Sequence, residues 1–133
     1  MNLEPPGSGA PTDGSAPPAA LDAAALARLR ELDPDGRQGL LARVLAAYES
    51  SLRGMVDQLH AALDAGDAGA VAGLAHKLKS SSASVGALAL AASCADVERR
   101  LRGGVPGDLA ADVARLLADG EAALRAVGAM LRP

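Results

Sequence analysis

Beyond residue 20, apolar side chains recur every three or four positions along most of the chain, the spacing that lines one face of an α-helix. Between residues 37 and 65 the stripe runs Leu41, Val44, Leu45, Tyr48, Leu52, Met55, Val56, Leu59 and Leu63. Between 67 and 85 it is Val71, Leu74, Ala75, Leu78, Ser82 and Val85, and between 87 and 101 it is Leu90, Cys94, Val97 and Leu101. From 108 onward Leu109, Val113, Leu116, Leu117, Leu124, Val127 and Leu131 make a fourth stripe. A shorter segment, 22–32, precedes them, with Asp22 as N-cap and Leu21 set to staple onto Leu26. Pro34-Asp35-Gly36, Gly66, Gly86, Gly103-Gly104 and Pro106-Gly107 punctuate the pattern, while Asp67 and Asp108 supply caps. Glu49–Arg53 and Glu121–Arg125 are i,i+4 acid–base pairs on outer faces.

Four long amphipathic segments joined by short connections must run antiparallel, and each has one stripe to hide. The pattern therefore predicts an all-α fold: an antiparallel up-down four-helix bundle with a short additional N-terminal helix covering one end or edge. Residues 1–20 show no apolar period and are rich in Pro, Gly, Ser and Ala. Such a segment buries too little surface to offset chain entropy, so it is expected to be a disordered tail on a bundle spanning residues 21–133. No repeat of solenoid type is present.

Composition narrows the function classes. The net charge is −3, Phe and Trp are absent and Tyr48 is the only aromatic residue, which disfavours nucleic-acid binding. No apolar run approaches the roughly 20 residues needed to span a bilayer, and the first residues lack the basic-then-apolar order of a secretory signal. Cys94 stands alone, so no intramolecular disulfide forms and a reducing, cytoplasmic location is expected. Catalytic raw material is scarce. There are two histidines, His60 and His76, with no zinc-type spacing and no Gly-rich phosphate loop, so neither a metal nor a cofactor is expected.

On a helix, His76 is flanked by Ala72 and Gly73 one turn before it and by Lys79 and Ser80 one turn after, with Ala83 further on. It projects away from the stripe, among small side chains that leave the ring open to a flat partner surface. Lys79 is placed to meet an anion carried on the imidazole. Imidazole is a competent nucleophile near neutral pH, and attack through one ring nitrogen is favoured when the other is hydrogen-bonded. Glu98, on the next helix, is the candidate orienter. Taken alone, an exposed helical histidine beside a lysine is ordinary, and the charges at 98–102 read equally well as a solvated face. His60 has no evident role, and Cys94 fits as a small seam residue.

The stretch from His76 to Ala87, reading His-Lys-Leu-Lys-Ser-Ser-Ser-Ala-Ser-Val-Gly-Ala, resembles the phosphorylation motif of histidine-phosphotransfer (HPt) domains, and Leu90, Cys94 and Glu98 continue the match. The resemblance implies a phosphorelay intermediate, not an autonomous enzyme. In that role His76 accepts a phosphoryl group from a receiver-domain aspartate and passes it to another receiver. It further implies Lys79 as the cation that neutralises the phosphate and Glu98 as the group that orients the imidazole. Arg102 and Lys77 are supporting cations, and Gly86 is the hairpin glycine between the two site helices. The implied partners are receiver domains of hybrid sensor kinases and response regulators, which would bring the Mg²⁺, with the carrier itself a monomer. One departure is Ser80, where the family usually has Gly. A Cβ there narrows a partner's approach, and the hydroxyl is a candidate phosphate donor. Retained function with altered partner fit is expected.

Two rival readings are distinct in kind. A docking module that binds and inhibits a receiver or kinase without taking phosphate has only Ser80 in its favour. A kinase dimerisation domain usually carries His-Glu, whereas Lys77 follows His76 here, and it would need two chains where this one supplies four long helices.

Overall fold

The computed structural model describes residues 21–104 and 107–133; the expected tail falls outside them. The described residues form five helices: α1 (Ala23–Glu31), α2 (Leu40–Asp64), α3 (Ala68–Ser84), α4 (Leu88–Arg102) and α5 (Leu109–Leu131). Each of α2 to α5 packs on the next and α5 returns onto α2, closing a ring of four; α1 leans on α2. This is the predicted up-down bundle with its short leading helix.

The stripes enter the core as expected. Leu45, Tyr48, Leu52 and Leu59 meet Val71, Ala75, Leu78, Leu90, Cys94, Val97, Val113, Leu116 and Val127, all buried. Each buried Leu or Val removes enough apolar surface from water to contribute roughly 1.5–3 kcal/mol. The buried hydroxyls of this core are paired. The Tyr48 hydroxyl and Ser82 Oγ lie 2.8 Å apart, and burial pushes the Tyr48 phenol up to about 12.

Helix ends follow local chemistry. Asp22, Asp67 and Asp108 accept from the backbone N–H groups of Ala25, Ala70 and Ala110–Ala111 respectively. The expected start of α2 at residue 37 is displaced to Leu40. The cause is a carboxylate the sequence reading assigned no part: Asp33 accepts from the N–H of Gln38 (3.3 Å) and of Leu40 (3.1 Å). Gly36 and Gly39 both hold positive φ in this loop, and Gly39 in the N-cap position has no side chain to offer, so Asp33 caps α2 from a distance. Of the two i,i+4 pairs, Glu49–Arg53 closes at 3.4 Å; Glu121–Arg125 is not among the ion pairs of the described residues.

Gly86 ends α3 in a Schellman arrangement, with Ala87 N–H donating to Ser82 O (2.8 Å) and Gly86 N–H to Ala83 O (3.1 Å). Its φ is +83°, and a Cβ there would sit 2.6 Å from the Asp22 backbone nitrogen, whose N–H donates to Gly86 O at 2.8 Å. The same glycine thus turns the α3–α4 hairpin and receives the start of α1. Gly86→Ala is expected to cost about 1–3 kcal/mol and to loosen α1. Gly54→Ala, in the α2 interior with nothing within 4 Å of the added methyl, is expected to gain about 0.5–1 kcal/mol. Denaturant titration of the two variants, with amide exchange read over α1, checks both signs.

Candidate functional site

The cap at Asp67 and the stop at Gly86 fix the phase of α3, so that Val71, Leu74, Ala75, Leu78 and Ser82 turn inward and His76, Lys77 and Ser80 turn out. The His76 side chain is 62% exposed. Against it, from α4, stands Glu98, whose side chain is only 11% exposed. Glu98 Oε2 lies 2.8 Å from His76 Nδ1 and 2.9 Å from Arg102 Nε, while Oε1 accepts from Lys79 Nζ at 2.8 Å.

This geometry sets the chemistry of the ring. The Lys79 ammonium bonded to Glu98, and after it His76, hold the carboxyl below its ordinary value of 4.5 against the opposing effect of burial. An ionised carboxylate only accepts hydrogen bonds, so Nδ1 must carry the hydrogen of the neutral imidazole. The lone pair is then on Nε2. The result is a nucleophile of defined tautomer, exposed on a helix face and backed by a charge that stabilises the ring if it turns cationic.

Four residues named from sequence therefore converge: His76, Lys79 and Glu98, and with them Arg102. Lys79 engages Glu98 in this state, so the cation assigned to a phosphate is held within the site by a carboxylate. Ser80 is exposed one turn above the imidazole. Lys77 points to the other side, into an open groove of about 520 Å³ between α2 and α3 that Gln58, Ala61, Ala65 and Gly73 also line. Gly86 lies away from the histidine and acts through the hairpin. Ala72, expected on the open face, is buried instead (5% exposed). Sequence reasoning left Arg102 without a defined contact, although its i,i+4 spacing from Glu98 was the available signal.

Among the described residues no cluster of three or more His, Cys, Asp or Glu side chains could hold a metal ion, and no helix is long and apolar enough to cross a membrane. Cys94 is fully buried, and burial pushes its thiol up to about 12, which leaves it inert.

The family model of the Hpt domain matches residues 43–127. Among solved structures, the chain is similar to histidine-containing phosphotransfer protein B (HptB) from Pseudomonas aeruginosa PAO1, at 29% identity and a TM-score of 0.74, covering 89% of this chain and 97% of that one. No curated protein matches the chain.

Because Glu98 is held below 4.5 in the fold, its contribution to stability is present above the unfolded-state value and is lost as pH falls through the depressed folded value. Glu98→Gln is expected to flatten this acid limb of the stability curve. Carboxyl ¹³C shifts and denaturation series below pH 5 check it. In the same variant the ¹⁵N shifts of His76 are expected to show mixed tautomers, since an amide can donate as well as accept.

Proposed function

The chain belongs to the Hpt domain family, whose members carry phosphoryl groups on histidine in phosphorelays, and from that premise we propose that His76 is the phospho-acceptor. On this reading the protein takes the group from a receiver-domain aspartate and delivers it to a second receiver. The observation that carries the proposal is the Nδ1–Glu98 contact of 2.8 Å, which leaves Nε2 as the nucleophilic nitrogen of an exposed ring. The likeness to a histidine-containing phosphotransfer protein over nearly its whole length supports it.

The proposed step balances simply. Nε2 attacks the phosphorus of the aspartyl phosphate, the Nε2–P bond forms, the P–O bond breaks, and the aspartate leaves as a carboxylate. The ring, still protonated at Nδ1, becomes cationic and is met by Glu98. The phosphoryl group draws Lys79 from Glu98 Oε1, and Arg102 stays behind on Oε2. Phosphoryl transfer depends on positioning and charge compensation more than on covalent help, so a carrier this sparse suffices. Mg²⁺ would be held by the receiver. The docking face comprises the exposed side of α3 and the groove lined by Gly73, Lys77 and Ala61, with Lys77 steering an acidic partner.

The experiment is transfer of label from a panel of phosphorylated receiver domains. Wild type is expected to gain acid-labile, base-stable label and His76→Gln to gain none. Lys79→Ala is expected to slow transfer about ten- to a hundredfold, the loss of one charge-assisted hydrogen bond. Binding to receivers with no label on wild type would instead make the chain an inhibitory docking module.

A further inference from the structure

Four serines, Ser80, Ser81, Ser82 and Ser84, stand on the second half of α3, and three of their hydroxyls are committed. Ser81 Oγ donates to the carbonyls of Lys77 and Leu78 (both 3.4 Å), Ser84 Oγ to the carbonyl of Ser80 (3.1 Å), and Ser82 Oγ pairs with Tyr48 (2.8 Å). The Ser80 hydroxyl bonds to no protein group among the described residues. It borders an open groove of about 440 Å³ between α1 and α3, with Ala25, Leu29 and Ala83 as its small or apolar neighbours.

Position 80 is four residues after His76, hence one turn above it on the same face, and helical side chains lean toward the N-terminus. Ser80 therefore leans over the imidazole. The ring's Nδ1 edge is turned to α4, where it meets Glu98. Lys79 shares that carboxylate, which places Lys79 on the α4 side of the histidine and Ser80 on the other. The bond to Glu98 leaves Nε2 as the free ring nitrogen, and Ser80 carries the hydroxyl one turn above it on the exposed side of α3.

We propose that the Ser80 hydroxyl donates a hydrogen bond to an oxygen of a phosphoryl group on His76 Nε2 and lengthens the life of the phosphohistidine. The inference rests on His76 being the phospho-acceptor. In hydrolysis, water attacks phosphorus, the Nε2–P bond breaks, and inorganic phosphate and neutral imidazole are released. The transition state is loose, and the phosphoryl oxygens lose charge on the way to it. A donor on those oxygens stabilises the starting phosphohistidine more than the transition state, so spontaneous loss slows. Lys79 serves the group from the α4 flank and Ser80 from the opposite one, which leaves the outward direction free for a receiver.

The test phosphorylates the full chain directly with a small-molecule phosphoramidate and follows decay by ³¹P NMR, with no receiver present. Relative to wild type, Ser80→Ala and Ser80→Gly are both expected to shorten the half-life about fivefold, the worth of one hydrogen bond, and to shift the phosphohistidine ³¹P resonance. Ser80→Thr, which keeps the hydroxyl, is expected to restore both. A purely structural role predicts no shortening in Ser80→Ala, because Ala is the better helix former. Label on wild type with equal half-lives in all four proteins would overturn the Ser80 assignment and leave His76 as the acceptor. No label on wild type would overturn both.

Discussion

A carboxylate almost removed from water between two helices is expensive unless every face of it is met by a donor. Glu98 is that group, and the disposition of α3 and α4 is bound up with satisfying it: His76 and Lys79 come from one helix, Arg102 from its own. The turn at Gly86 sets the register. His76 lies ten residues before that glycine and Glu98 twelve after it, so their backbones stand roughly 15 and 18 Å from the turn. Both side chains lean toward the N-terminus of their own helix. His76 therefore leans away from the turn and Glu98 toward it, which closes the difference. A hairpin longer or shorter by a residue would part them.

The charges of the cluster do not cancel. With the imidazole neutral, Lys79 and Arg102 outweigh the single carboxylate by one positive charge, in a place where a phosphoryl group would add close to two negative ones. The resting site thus keeps one unbalanced positive charge, which the proposed phosphoryl group on Nε2 would meet. Glu98 serves both states, as the acceptor that fixes the tautomer and as the counter-charge to a cationic ring. Such a design needs no large polar apparatus, which explains how an Ala- and Leu-rich bundle can hold a reactive centre.

Periodicity made the bundle legible, because the four stripes are long and the aspartate caps and glycine stops are unambiguous at Asp67, Gly86 and Asp108. It failed where a contact depended on register between elements. Asp33 capping Leu40 spans a loop whose course two positive-φ glycines decide, and nothing in the local pattern marks it. Ala72 is a small residue one turn before His76, yet helix packing buries it. His76 and Lys79 could be singled out from α3 alone. Glu98 could be named as a candidate orienter on the next helix, and the family resemblance points to the same residue, but only the packed hairpin supplies the distances that turn a row of charges into a site.

Helix α4 shows how one sequence motif is divided between holding the fold and serving the site. Asp96–Arg100 and Glu98–Arg102 are the same i,i+4 acid–base pair written twice, two residues apart, which turns the second about 200° around the helix from the first. The first faces α5: Arg115 reaches Asp96 at 2.6 Å, Arg100 reaches Asp112 at 2.5 Å, and Ser93 bonds to Asp119 and Arg115. The second faces α3 and the histidine. Much of the polar fastening of α4 is thus done on its α5 side, where Asp112 is buried and Arg100 and Asp96 are partly covered. The α5-side pairs thus share the fastening of α4 with the contacts that Glu98 makes to His76, Lys79 and Arg102 on the front. The face around the imidazole keeps small side chains such as Gly73, Ser80 and Ala83 beside the exposed ring, the openness that the proposed docking of a receiver requires.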